Sequence, residues 1–225
     1  MKELPFDPYD FFGYVASGLV LVVVSQLTLG FPNVFGADLK PFDVAVTILG
    51  VYILGQIVAG PAKSFLEDLL AKKILGSPTQ NLLHPTRRRI AKRIFPGYYT
   101  PLPPGIRVKL AVKIADSTSD HSDSESIFLS IRYAPEVLTS ETLISKLNTF
   151  RDQYGFARNV SFSLLFAALS FALEGHLKGS AKLTHFSAAA FGAGLFLLYR
   201  FLKFYRQYSY ELFNAYAHMT EKGTP

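Results

Sequence analysis

Between residues 87 and 93 the chain reads Arg87-Arg88-Arg89-Ile90-Ala91-Lys92-Arg93, five cations in seven residues. So dense a run attracts phosphate-bearing groups, and beside an anionic leaflet each cation is worth about 1 kcal/mol. Arg87, Arg88, Arg89, Lys92 and Arg93 are therefore the candidate site for an anionic lipid headgroup or another phosphate-bearing ligand. The plainer alternative is a topology signal that docks on the bilayer surface. Nucleic acid would feel the same charge, but no recognised binding module surrounds the run, which argues against it.

A second charged cluster, Asp116, Asp120, Asp123 and Glu125, superficially suggests calcium. It fails the EF-hand pattern, because the sixth position holds His121 in place of glycine and the twelfth holds Ile127 in place of glutamate. A solvated linker over residues 116–126 is the expectation. No pair among His84, His121, His176, His185 and His218 has metal-ligand spacing on a helix. His176 and His185 share a short loop with Glu174, the one place for a weak metal or pH-sensitive site. No nucleophile elbow, Walker loop or GxGxxG motif occurs, and no serine has a recognisable base partner. The absence of cysteine removes thiolate chemistry, disulfides and Cys-ligated metal. No catalytic residue, cofactor or metal is expected. An enzyme acting on lipid would have to draw its acid–base groups from these histidines.

The elements that position these residues follow from where charge is missing. Hydrophobic residues make up an ordinary 49% of the 225, but they cluster. Residues 11–30 carry no charge and span about 30 Å as a helix, the hydrocarbon thickness of a bilayer. Before them lies a tail without a basic stretch, so the run reads as a retained span, not a signal peptide. Residues 44–60 form the second span, joined to the first by a short turn-rich linker that makes an antiparallel hairpin. Residues 159–173 and 186–199 are shorter. They cross only if the first begins near Tyr154, with Arg158 snorkelling to the interface, and the second extends back through Leu183. The competing reading is a re-entrant or interfacial hairpin.

The long segment between spans two and three has its own pattern. Residues 61–75 read as a helix continuing out of the second span, with Phe65, Leu66, Leu69 and Leu70 on one side and Gly76 as its stop. Residues 87–95 read as a basic amphipathic turn or helix closed by Pro96-Gly97. Ile106, Val108, Leu110, Val112 and Ile114 alternate with polar or small residues, which reads as a strand; a helix stays open, since Lys, Leu and Ala are good helix formers. Residues 127–133 read as a second strand pairing with it. Leu143, Ile144, Leu147, Phe150 and Tyr154 step by three and four, an amphipathic helix feeding span three and capped by Thr139 or Ser140. The stripe Phe201, Phe204, Tyr205, Tyr208, Leu212 and Tyr216 continues span four as one helix.

The expected fold is mainly α: a four-helix transmembrane bundle with a small cytoplasmic α+β segment. The expected divisions are an N-terminal hairpin (1–60), a cytoplasmic segment (61–153), a C-terminal hairpin (154–204) and a cytoplasmic helix and tail (205–225). Of the 23 Lys and Arg, fifteen lie in residues 61–158, four after residue 199 and one in the N-terminal tail, against three in the two remaining loops. The positive-inside rule then puts both termini and the long segment in the cytoplasm, with the spans in the cell (inner) membrane.

Small residues four apart, Gly13/Ser17, Gly55/Ala59, Ala188/Gly192 and Ala190/Gly194, are candidate helix-packing positions, with span four expected to make the tightest contact. Gln26 and Gln56 are the candidate intramembrane polar groups. No ionisable residue sits at mid-span, which argues against an ion-coupled transporter. These features point to a non-enzymatic, oligomeric membrane protein, a homo-oligomer in the lipid bilayer. Its cytoplasmic segment would bind a protein partner or ligand and couple it to the bundle, as membrane effectors of defence or toxin-like systems do. The alternatives are an oligomeric pore lined by Ser17, Ser25, Gln26 and Thr28, and a lipid-modifying enzyme.

Overall fold

The computed structural model describes residues 8–31, 40–84, 88–115 and 123–219. Among them every regular element is helical: α1 (Pro8–Leu29), α2 (Pro41–Ala62), a π-helix (Lys63–Ile74), α3 (Pro78–Leu83), α4 (Arg89–Ile94), a 3-10 turn (Pro96–Tyr99), α5 (Pro104–Ala115), α6 (Ser124–Arg132), α7 (Pro135–Leu138), α8 (Glu141–Lys178) and α9 (Ala181–His218). Four helical stretches, Phe11–Leu29, Pro41–Leu83, Glu141–Lys178 and Ala181–His218, are long and apolar enough to cross a membrane. The mainly α class holds; the α+β segment is corrected, because both expected strands are helices.

The reason is visible in the residues. In α5, Ile106, Leu110 and Ile114 lie four apart and share one helical face; Leu110 is buried and the other two pack beside it. Any period-two run contains such a period-four set, so alternation over nine residues does not separate strand from helix. Pro104 opens α5, where a missing N–H costs nothing. In α6, Ile127 and Ile131 again lie four apart on the core side. The Asp123 carboxylate caps this helix by accepting from Ser126 N–H at 2.7 Å, and that bond holds the carboxyl below its usual pKa. The solvated linker expected over 116–126 is corrected at its end, since Ser124–Arg132 is helical; residues 116–122, with His121, Asp116 and Asp120, lie outside the described residues.

The described chain divides into two compact units. One holds the chain up to Leu69 with Asp152–Phe201; the other holds Leu70–Arg151 with the residues from Leu202 onward.

In the first unit many large apolar side chains face outward, among them Phe42, Ile57, Leu169 and Phe196. In water such a surface would aggregate; against lipid tails it costs nothing. These four stretches are compatible with a multi-pass membrane protein. Serines, one buried and one partly so, join two of the helices. Ser161 Oγ donates to the Gly194 carbonyl at 2.8 Å, and Ser187 Oγ to the Ala168 carbonyl at 2.8 Å, so α8 and α9 exchange hydroxyl–backbone bonds. Val24, Ala167, Phe171 and Leu183 form a compact apolar cluster beside them.

The helix that begins as α2 changes winding two residues after Pro61. Proline cannot donate the bond that would continue the α pattern, and helices reorganise at such points. The π-helix runs twelve residues and closes with Leu75 N–H on the Leu70 carbonyl at 2.8 Å, a five-residue step. Within it Leu66, Glu67 and Ala71 are buried, and Ala62 and Leu75 flank it as buried neighbours. This corrects the expected stripe: Leu66 and Leu70 turn inward or sideways, whereas Phe65 and Leu69 stay exposed. Gly76, at φ +83°, ends the helix in the left-handed region that its lack of a Cβ permits.

The second unit is built on Leu82, Leu102, Leu110, Ile131, Val137, Leu143, Leu147, Leu212 and Phe213. Leu143 and Leu147 come from the first turns of α8, and Leu212 and Phe213 from the last turns of α9. Lys146 pairs with Glu211 at 2.8 Å across these two helices. Lys113 of α5 donates to the Tyr216 and Met219 carbonyls, at 3.3 and 2.9 Å, satisfying helix-end acceptors that α9 cannot satisfy itself.

Candidate functional site

Of the basic run, Arg87 lies outside the described residues. Arg88, Arg89, Lys92 and Arg93 are all exposed, on or beside α4. The same helix exposes its apolar side: Ile90 is 80% and Ile94 61% exposed, and no residue of α4 is buried. A helix gains nothing in water by displaying two isoleucines one turn apart. α5 repeats the pattern, with Val108 exposed between Arg107 and Lys109 and Val112 exposed one turn later.

α4 is attached to the second unit through the turn that follows it. Tyr98 and Tyr99 are buried, and their hydroxyls donate to the Gly76 and Leu75 carbonyls, each at 2.9 Å. Asn81 Nδ2 adds a bond to the Gly76 carbonyl at 3.0 Å. The carbonyls at the end of the π-helix are thus satisfied by side chains instead of water. Burial pushes the Tyr98 phenol well above its ordinary pKa, with Tyr99 adding to the rise and Arg88 opposing it. Burial likewise raises Tyr99, again against Arg88. Both phenols therefore stay protonated and able to donate. Replacing both with phenylalanine should cost about 1–3 kcal/mol in all, for two buried hydrogen bonds to backbone. Thermal denaturation of the solubilised chain checks it; an unchanged midpoint would show that these bonds are made as well by water.

In the first unit the geometry adds a site the sequence reading passed over. Glu67 of the π-helix and Arg158 of α8 form an ion pair at 2.6 Å, with side chains only 9% and 13% exposed. Arg158 Nε also donates to Asn159 Oδ1 at 3.1 Å, and Asn159 is itself buried. The expectation made Arg158 a lone snorkelling cation. Its partner lies 91 residues earlier in the chain, a separation that no local pattern bridges.

The packing candidates fall into two groups. Gly13 lies against Phe156, Gly55 against the Tyr14 backbone and Gly194 against Leu165. Ser17 is fully buried and Ala59 partly so. Ala188 is exposed and Gly192 has nothing within 4 Å, so both face away from their own chain. The closest glycine approach is in the first hairpin: a Cβ on Gly18 would overlap the Val51 carbonyl, and one on Gly55 the Tyr14 carbonyl. Span four has no approach as close among the glycines of α9.

The remaining candidates are quickly placed. Gln56 donates to the Tyr52 hydroxyl at 2.8 Å within α2, and Gln26 is partly buried on α1. The Ser17, Ser25 and Thr28 hydroxyls each donate to a carbonyl of their own helix, at 3.0, 2.9 and 2.8 Å. Glu174 pairs with Lys178, and His185 Nδ1 bonds the Ala181 carbonyl at 2.7 Å. Among the described residues no three His, Asp or Glu side chains gather as metal ligands. No protein family, curated protein or solved structure matches the chain.

Proposed function

We propose that this chain is a non-enzymatic multi-pass membrane protein whose cytoplasmic unit binds a ligand or partner and passes that event to the membrane helices. One observation carries the reading: the described chain crosses between its two units at Leu69/Leu70, Arg151/Asp152 and Phe201/Leu202, and each crossing falls inside a helix. A domain merely tethered to a membrane anchor needs a flexible linker, and none is used at these crossings. α8 and α9 each have 38 residues, about 57 Å of helix, against about 30 Å of hydrocarbon. Continuous helices transmit displacement, which is what coupling a soluble site to a bundle requires.

The charge distribution supports placing the second unit and both termini in the cytoplasm, with the spans in the cell (inner) membrane. The outward-facing Ala188 and Gly192 support a homo-oligomer that packs through α9. A defence or toxin-like membrane effector is one protein of this design. Neither the pore nor the lipid-modifying enzyme has a specific observation in its favour.

The chain has no cysteine, so an engineered pair reports cleanly on the bundle. A Cβ at Gly13 would lie 3.7 Å from the Phe156 Cβ, within the range a disulfide bridges. Gly13→Cys with Phe156→Cys, in lipid nanodiscs, should oxidise at a rate that changes several-fold when Leu212→Ala loosens the core of the second unit. Hydrogen exchange confirms that the lesion has opened that unit. Equal oxidation rates with and without the lesion would reject coupling.

A further inference from the structure

We infer that α4 is an interfacial helix that lies on the headgroup layer of an anionic leaflet, with Ile90 and Ile94 inserted and Arg88, Arg89, Lys92 and Arg93 on lipid phosphates. The inference rests on the membrane reading above and adds the surface, its lipid class and the residues that recognise it.

Three observations converge. The first is the pair of exposed isoleucines, at 80% and 61%, on a helix with no buried residue. The second is the charge around them: four exposed cations on or beside α4, and not one Asp or Glu anywhere from residue 84 to 115. A second copy of the same surface would be repelled, so self-association through α4 is disfavoured, while a phosphodiester layer is complementary. The third is the contrast with Lys113 of the same unit. Lys113 is occupied by the Tyr216 and Met219 carbonyls, whereas the α4 cations remain turned to the outside. Apolar residues one turn apart, flanked by Lys and Arg, are what a helix needs to lie in a bilayer interface. Each cation adds roughly fivefold in partitioning onto an anionic surface.

The chain has no tryptophan, so Ile90→Trp makes the only indole in the molecule. The variant is reconstituted at full length in nanodiscs of phosphatidylcholine alone or mixed with phosphatidylglycerol. The expected result is blue-shifted emission, quenched by brominated acyl chains, in the phosphatidylglycerol discs. Replacing Arg88, Arg89, Lys92 and Arg93 together with glutamine, or raising salt, should return the emission to that of a water-exposed indole. Water-like, unquenched emission in both lipids would overturn the inference. So would a blue shift equal in both lipids, unquenched by brominated acyl chains and unmoved by the glutamine replacements, which would mean that protein covers α4. A chain that failed to enter nanodiscs would instead sink the membrane reading itself, so the two failures are distinguishable.

Discussion

Arg158→Met is expected to destabilise the chain by about 3–5 kcal/mol, the range for removing one partner of a buried ion pair. The magnitude follows from burial. Glu67 and Arg158 have side chains only 9% and 13% exposed, so solvent screens little of their interaction, and the charge left behind cannot rehydrate. For a chain of this size that loss is roughly 6–20 °C in the thermal midpoint. The double variant Glu67→Gln with Arg158→Met should recover most of it, because no bare carboxylate then remains in an apolar setting. Thermal unfolding of all three chains in the same nanodiscs completes the cycle. If Arg158→Met melts within a degree or two of the parent, or if the double variant is as unstable as the two single losses added, the pair is not the constraint its geometry implies.

This pair depends on the winding of the π-helix. A residue of a π-helix advances less around the axis than one of an α-helix, so four residues after Lys63 the side chain direction already differs. Glu67 and Leu66 are both buried in the observed winding, beside exposed Phe65. Phe65 in turn stacks on Phe162, with ring centroids 5.9 Å apart. Rewinding Lys63–Ile74 into an α-helix would swing Glu67 away from Arg158. The pair therefore holds both the α8 contact and an otherwise uncommon helix type, and π-windings are found disproportionately at functional sites.

How far the sequence could be read depended on the range of the physics involved. The four long apolar stretches were legible because lipid imposes a length and a composition on every residue of a span. Gly76 as a stop was legible because a left-handed residue is a local requirement. The exposed cations of α4 were legible as a charge run, but the exposure of Ile90 and Ile94 was not, since an isoleucine in sequence does not say which way it faces. The strands expected over 106–114 and 127–133 failed for want of context: Ile106, Leu110 and Ile114 serve a sheet face and a helix face equally well. Tyr98 and Tyr99 left only a faint signal, two aromatics between Pro96 and Pro101. Glu67 left none, because its partner is set by tertiary packing.

Gly18 shows the same blindness and makes a sharp test. A search for small residues four apart selects Gly13 and Ser17, but Gly18 has Tyr14 and Val22 at those distances. Its importance comes from the facing helix: a Cβ there would overlap the Val51 carbonyl and sit 3.0 Å from the Gly55 amide nitrogen. Gly55 reciprocates against the Tyr14 carbonyl, so α1 and α2 cross antiparallel at two glycines set against backbone. Backbone cannot rotate aside as a side chain can. Gly18→Ala and Gly55→Ala must therefore push the helices apart, losing close packing along the hairpin and the Tyr14–Tyr52 edge contact, now 5.8 Å between centroids. Overpacking of this kind costs about 1–3 kcal/mol for a single methyl, and the upper end is expected because both neighbours are backbone. Gly50→Ala and Gly192→Ala are the controls, each having nothing within 4 Å. Alanine there should be neutral or stabilising by up to about 1 kcal/mol, since glycine weakens a helix interior. Thermal unfolding of the four variants in one lipid separates the cases. Should Gly18→Ala and Gly55→Ala melt with the controls, the hairpin does not close through these glycines.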